Sequence, residues 1–71
     1  MVTDLAPSML WRYEDGAGVM RVGYVERTSD HGGSDVSYYF RQRDGTLSVI
    51  SGGERLRAAS VLNTRSWDEA Q

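Results

Sequence analysis

Apolar and polar residues alternate most sharply between Val36 and Ile50, in two runs that meet at Asp44-Gly45. An Asp-Gly pair between alternating runs predicts a β-hairpin, because a type I′ turn needs positive φ at both central residues. With those two residues as the turn, Arg41 faces Ser48, Phe40 faces Val49 and Tyr39 faces Ile50. Side chains alternate with period two, so Val36, Tyr38, Phe40, Leu47 and Val49 form the expected core side. Tyr39, Arg41, Arg43, Ser48 and Ile50 form the outer side.

The same alternation runs from Met9 to Asp15 and predicts a strand with Trp11 and Tyr13 inward, ended by Asp15-Gly16-Ala17-Gly18. Val19 to Arg27 reads as a second strand. It carries apolar residues on both parities, so a bulge or bend at Gly23 is expected to change its phase. Thr28 to Asp35 is a loop on composition, and Ser51-Gly52-Gly53-Glu54 a turn. Arg55 to Leu62 fits both an alternating pattern and a helical stripe. A short fifth strand is the preferred reading, with a helix over about 53–62 as the runner-up. Residues 1–8 are expected to be a flexible leader, 9–62 a single β domain, and 63–71 a tail. Within that tail Trp67 either folds back onto an apolar groove, the favoured reading, or docks a partner.

Seventy-one residues make one domain near the lower size limit for folding without staples. Cysteine is absent, so disulfides and thiolate zinc sites are excluded. No apolar run reaches the length of a membrane span, and no basic-then-apolar leader pattern opens the chain, so a cytoplasmic location is expected. The net charge of −2 conceals an asymmetry: residues 1–35 carry −3, residues 36–65 carry +3 and residues 66–71 carry −2. All eight basic residues are Arg. Codon bias in a high-GC genome, such as an actinobacterium or one of its phages, is the preferred reading of that choice over a functional one, and each Arg is a planar fork suited to carboxylates, phosphates or aromatic faces.

Little in the chain points to catalysis. His31 is the only histidine and sits with Asp30 and Asp35 in a Gly-rich loop, where a solvated side chain is preferred over a metal or acid–base site. No nucleophile elbow or triad is present, and the glycine pairs lack the context of a phosphate loop. The expectation is a non-enzymatic protein with no cofactor and no metal.

The outer face of the hairpin offers the better candidates. Tyr39, Ile50, Arg41 and Arg43 fall together there, and Tyr and Arg are enriched at binding hot spots. Arg55 and Arg57 would extend this face as a basic patch. With Tyr38, Tyr39 and Trp11 for stacking, such a patch also suits single-stranded nucleic acid.

Gly18-Val19-Met20-Arg21-Val22-Gly23-Tyr24-Val25, Tyr38-Tyr39-Phe40-Arg41 with Asp44-Gly45, and Ser51-Gly52 stand in an order that resembles the small SH3-like barrels of bacteria. The likeness is one of pattern over about two-thirds of the chain. It implies a binding role, toward peptides, other proteins or nucleic acids. The fold expected is therefore all-β: a five-stranded antiparallel SH3-like barrel or a strongly bent meander, with four strands plus a C-terminal helix as the alternative. The function expected is a small protein-binding module, an accessory or regulatory protein of a high-GC bacterium or its phage. It would bind a protein partner or a second copy of itself. Nucleic-acid binding through the Arg and aromatic face is the alternative, and no membrane association is expected.

Overall fold

The computed structural model describes residues 4–32, 35–52, 56 and 58–70. Five antiparallel strands form one sheet: β1 (Leu10–Glu14), β2 (Met20–Asp30), β3 (Val36–Gln42), β4 (Leu47–Ser51) and β5 (Ser60–Val61). Their order across the sheet is β4-β3-β2-β1-β5, so β1 to β4 follow one another across the sheet and β5 returns to pair with β1. The sheet stays open, with β4 and β5 as its edges. The all-β bent meander is thus what forms. Of the expected fifth strand over Arg55–Leu62, the described residues form β5 at Ser60–Val61, while Arg55 and Arg57 lie outside the described residues.

The β3–β4 hairpin turns one residue away from the expected place. Tyr39 pairs with Val49, Phe40 with Ser48 and Tyr38 with Ile50. The amide of Gly45 donates to the Gln42 carbonyl at 3.0 Å and that of Gln42 to the Thr46 carbonyl at 2.9 Å. Only Gly45 takes a positive φ, at 90°. The turn is therefore a three-residue loop, Arg43-Asp44-Gly45, of the type I plus glycine-bulge kind. The Asp44 carboxylate fixes it by accepting from the Thr46 amide at 2.9 Å. A one-residue slip in register moves a whole strand to the other face. Ile50, expected outside, is accordingly buried beside Phe40, while Leu47 and Val49, expected inside, are exposed.

Strand β2 does change phase, but at Glu26 rather than Gly23. Val25 pairs with Phe40 and Arg27 with Tyr39, leaving Glu26 as the extra residue. Gly23 has a different role. A Cβ there would stand 2.7 Å from the Arg41 carbonyl oxygen and 3.4 Å from the Tyr13 ring, so only glycine permits this approach of β2 and β3. The expected long loop after Thr28 is also shorter. The ladder reaches Asp30–Val36, and the His31 amide donates to the Asp35 carbonyl at 2.8 Å.

Both faces of the sheet carry a core. On the inner face Tyr13, Phe40 and Ile50 are buried, with Trp11, Val25, Tyr38, Leu56 and Ala59 packed around them. Tyr13 stacks on Phe40 with ring centroids 4.1 Å apart. On the outer face Leu10, Ala6, Trp67 and Ala70 are buried against Val22, Tyr24 and Leu62. Residues 4–6 and 63–70, expected as leader and tail, supply that second core. Leu62 and Leu10 exchange contacts along the edge of β1: the Leu62 amide donates to the Leu10 carbonyl at 2.8 Å, and the Leu10 amide to the Thr64 carbonyl at 2.7 Å. Farther along, the Ala6 amide donates to the Arg65 carbonyl at 2.6 Å, and the Trp67 amide to the Asp4 carbonyl at 3.1 Å. Asn63, with φ 58°, makes the bend that directs this segment over the sheet. The two ends of the chain satisfy one another's backbone groups, which is why Trp67 can fold back.

Candidate functional site

The covered part of the outer face ends at β2. Beyond it, on β3 and β4, Leu47 and Val49 are exposed on the same face, Tyr39 and Arg41 are half-buried and Ser37 is buried. The bulge at Glu26 sends two consecutive side chains of β2 to this side. The Glu26 carboxylate accepts from Arg41 Nε at 2.8 Å and from Arg41 Nη2 at 3.0 Å. Arg27 lays its guanidinium over the Tyr39 ring, 3.8 Å from the centroid. Val49 stands directly across from Tyr39, and Leu47 across from Arg41. Val49 is 51% exposed and Leu47 38%. The result is an apolar stripe of Tyr39, Val49 and Leu47 flanked by Arg27 and by the Arg41–Glu26 pair.

Electrostatics organise the flank. The two hydrogen bonds from Arg41 hold the Glu26 carboxyl below its ordinary range and raise the Arg41 guanidinium above its own. Arg43 leaves the stripe altogether. From the β3–β4 turn it reaches Asp4 at 2.6 Å and Asp68 at 3.2 Å, clipping both chain ends to the hairpin. That contact lowers the Asp4 carboxyl and raises the Arg43 guanidinium. A groove of about 350 Å³ opens beside this clip, lined by Met20, Val22, Gln42, Arg43, Asp44 and Trp67.

Of the residues selected from the sequence, Tyr39 and Arg41 do lie together on the outer face. Ile50 does not: it is 2% exposed and belongs to the inner core. Arg43 is near in sequence but serves the turn. Arg55 and Arg57 fall outside the described residues. Tyr38 and Trp11, considered for stacking with Tyr39, pack against the inner core on the opposite face. Sequence reasoning missed Leu47, Val49 and Arg27. The glycine-bulge option for Arg43-Asp44-Gly45 was the signal that could have found the first two.

The His31 loop closes on itself. The Asp30 carboxylate accepts from the Gly32 amide at 2.8 Å, and the Asp35 amide donates to the Gly32 carbonyl at 3.1 Å. Among the described residues no three His, Asp or Glu side chains converge as a metal site. Among them, too, no helix is long and apolar enough to cross a membrane.

Fold and surface together define a small open antiparallel sheet, cored on both faces, with an apolar stripe at one edge. Compared with protein-family models, with curated proteins and with solved structures, the chain finds no match.

Proposed function

We propose that the chain is a non-enzymatic protein-binding module that engages its partner through the Tyr39–Val49–Leu47 stripe. The observation that carries this reading is the exposure of Val49 beside Tyr39 on an edge strand, where a small domain seldom keeps apolar side chains in water without a partner. Tyr39 and the adjacent arginines are of the types that dominate binding energy. The tight β3–β4 hairpin, the brief fifth strand and its return to β1 support the likeness to SH3-like domains, as an open relative of the barrel. The all-arginine basic set supports an origin in a high-GC bacterium or its phage, and a cytoplasmic accessory role fits both.

Nucleic-acid binding finds less support. Arg41 is engaged by Glu26 and Arg43 by Asp4 and Asp68, and the aromatic rings are divided between the two faces.

The test is capture from a host lysate, with and without nuclease, by the wild-type chain and by Tyr39→Ala. A partner retained after nuclease and lost with Tyr39→Ala, at unchanged circular dichroism, is the expected result. Binding to labelled single-stranded DNA or RNA that falls steeply with salt would instead favour the nucleic-acid reading.

A further inference from the structure

The ladder between β3 and β4 has a fixed phase. At one end the Gln42 amide bonds to Thr46, and at the other the Gly52 amide donates to the Val36 carbonyl at 2.8 Å. In an antiparallel pair, hydrogen-bonded and non-hydrogen-bonded positions alternate. Ser48 and Ile50 therefore turn their backbone groups toward β3, while Leu47, Val49 and Ser51 turn theirs to the free edge. Among the described residues no strand pairs with that edge.

We infer that β4 is the seam of a homodimer: a second copy adds its own β4 antiparallel across this edge, with Val49 on the two-fold axis. This rests on the protein-binding reading and names its partner. Three observations select a second copy. The outward-turned residues are symmetric about Val49, so Val49 would bond to its own copy and Leu47 to the partner's Ser51, making one ten-stranded sheet with every edge group of Leu47, Val49 and Ser51 satisfied. The strand Leu47–Ser51 contains no charge, no Pro and no bulge, the usual devices that keep edges apart. A two-fold axis sets only the residue on it, Val49, against its own copy, so an uncharged centre is what self-pairing requires. The charges on the outer face stay clear of it. Arg27 would stand five strand spacings from its copy, roughly 24 Å and beyond a Debye length. Arg41 would look across Leu47 toward the partner's Ser51 and then the partner's Ser37. Between them Tyr39, Val49 and their copies would form one continuous apolar stripe.

The opposite edge is too short for such a seam, since β5 spans only Ser60–Val61. Five paired residues cover a few hundred Å² on each copy, short of the ~800 Å² per partner of a standard interface. The dimer is accordingly weak, with a dissociation constant of roughly 10–1,000 µM.

Sedimentation of the purified chain across that concentration range tests the proposal. The apparent mass should rise toward twice 7.9 kDa. Val49→Pro removes an edge donor from each copy and leaves the β3–β4 bonds intact. It should weaken association roughly ten- to hundredfold. Val49→Lys, with like charges on the axis, should do the same should the proline variant not fold. Register has its own readout, because the chain has no cysteine. Val49→Cys should oxidise to a cross-linked dimer, its Cα about 5.5 Å from its copy. Leu47→Cys, about 14 Å from its copy, should not. A chain monomeric to about 1 mM would overturn self-pairing, as would a dimer indifferent to both Val49 variants. A monomer that still loses a captured partner with Tyr39→Ala would leave the protein-binding reading standing; failure of both would remove both.

Discussion

The two cores of this sheet are built in opposite ways. The inner one is centred on the meander: Tyr13, Phe40 and Ile50 come from β1, β3 and β4, with Leu56 and Ala59 from the segment after β4 packed against them. The outer one is closed by the chain ends, with Ala6 from one and Trp67 and Ala70 from the other laid over Leu10, Val22 and Tyr24. Trp67 meets Tyr24 edge to face at 6.3 Å, and Arg43 ties the cover to the hairpin. A seventy-one-residue chain with no cysteine gains a second buried surface this way without a disulfide. The inner core lies between the strands, and the outer core depends on a cover drawn from residues 4–6 and 63–70.

Removing the inner core should therefore have the largest effect. Phe40→Ala, at a fully buried ring stacked on Tyr13, should cost ~3–5 kcal/mol and leave little folded protein by circular dichroism. Trp67→Ala should cost about 3 kcal/mol, the lower end of that range, because the ring is still 7% exposed. Its signature should be local: amide exchange should rise first at Ala6 and Ala70 while Phe40 and Ile50 stay protected. Equal loss of protection in both cores would show that they unfold as one.

A smaller change sharpens the account of the inner core. The Tyr13 hydroxyl is buried and has no hydrogen-bond partner among the described residues. Tyr13→Phe should be neutral or stabilise by up to ~1–2 kcal/mol, since it removes an unpaired polar group. A loss of stability in a thermal melt would reveal a partner for that hydroxyl.

The smallest effect concerns the clip on the outer cover. Asp4 is lowered below its ordinary 3.8 by its hydrogen bond to Arg43, and Glu26 below 4.5 by Arg41. A depressed carboxyl stabilises the fold above its unfolded value and loses that contribution as pH falls through the folded one. Stability should hold above about pH 4.5 and decline below pH 3.8, modestly because these groups face solvent. Arg43→Gln should flatten the Asp4 part of that decline in melts followed from pH 5 to 2.5.

Much of the inner core was legible in the residues. Alternation around Phe40 and Tyr13 marks both as inward, and Asp44-Gly45 marks a reversal, because period-two patterning and turn chemistry are local. The candidate site was legible only in part. Tyr39 and Arg41 follow from the parity of β3. Their cross-strand neighbours depend on whether the turn holds two residues or three, and Asp-Gly serves either geometry. That single residue exchanges Ile50 for Val49 on the outer face. The phase change in β2 was visible as apolar residues on both parities, yet Gly23 drew the bulge to itself when its smallness answers a different need, the approach of the Arg41 carbonyl.

By itself the sequence determined an antiparallel all-β chain whose phenylalanine points inward while the tyrosine before it points out, since both follow from contacts between near neighbours. Only the tertiary structure decided the register of β4, the position of the bulge and the pairing of residues 4–6 with residues 65–67. Those depend on contacts across strands or between chain ends some sixty residues apart, where no local periodicity carries the information. The apolar stripe at the β4 edge is the consequence of that register.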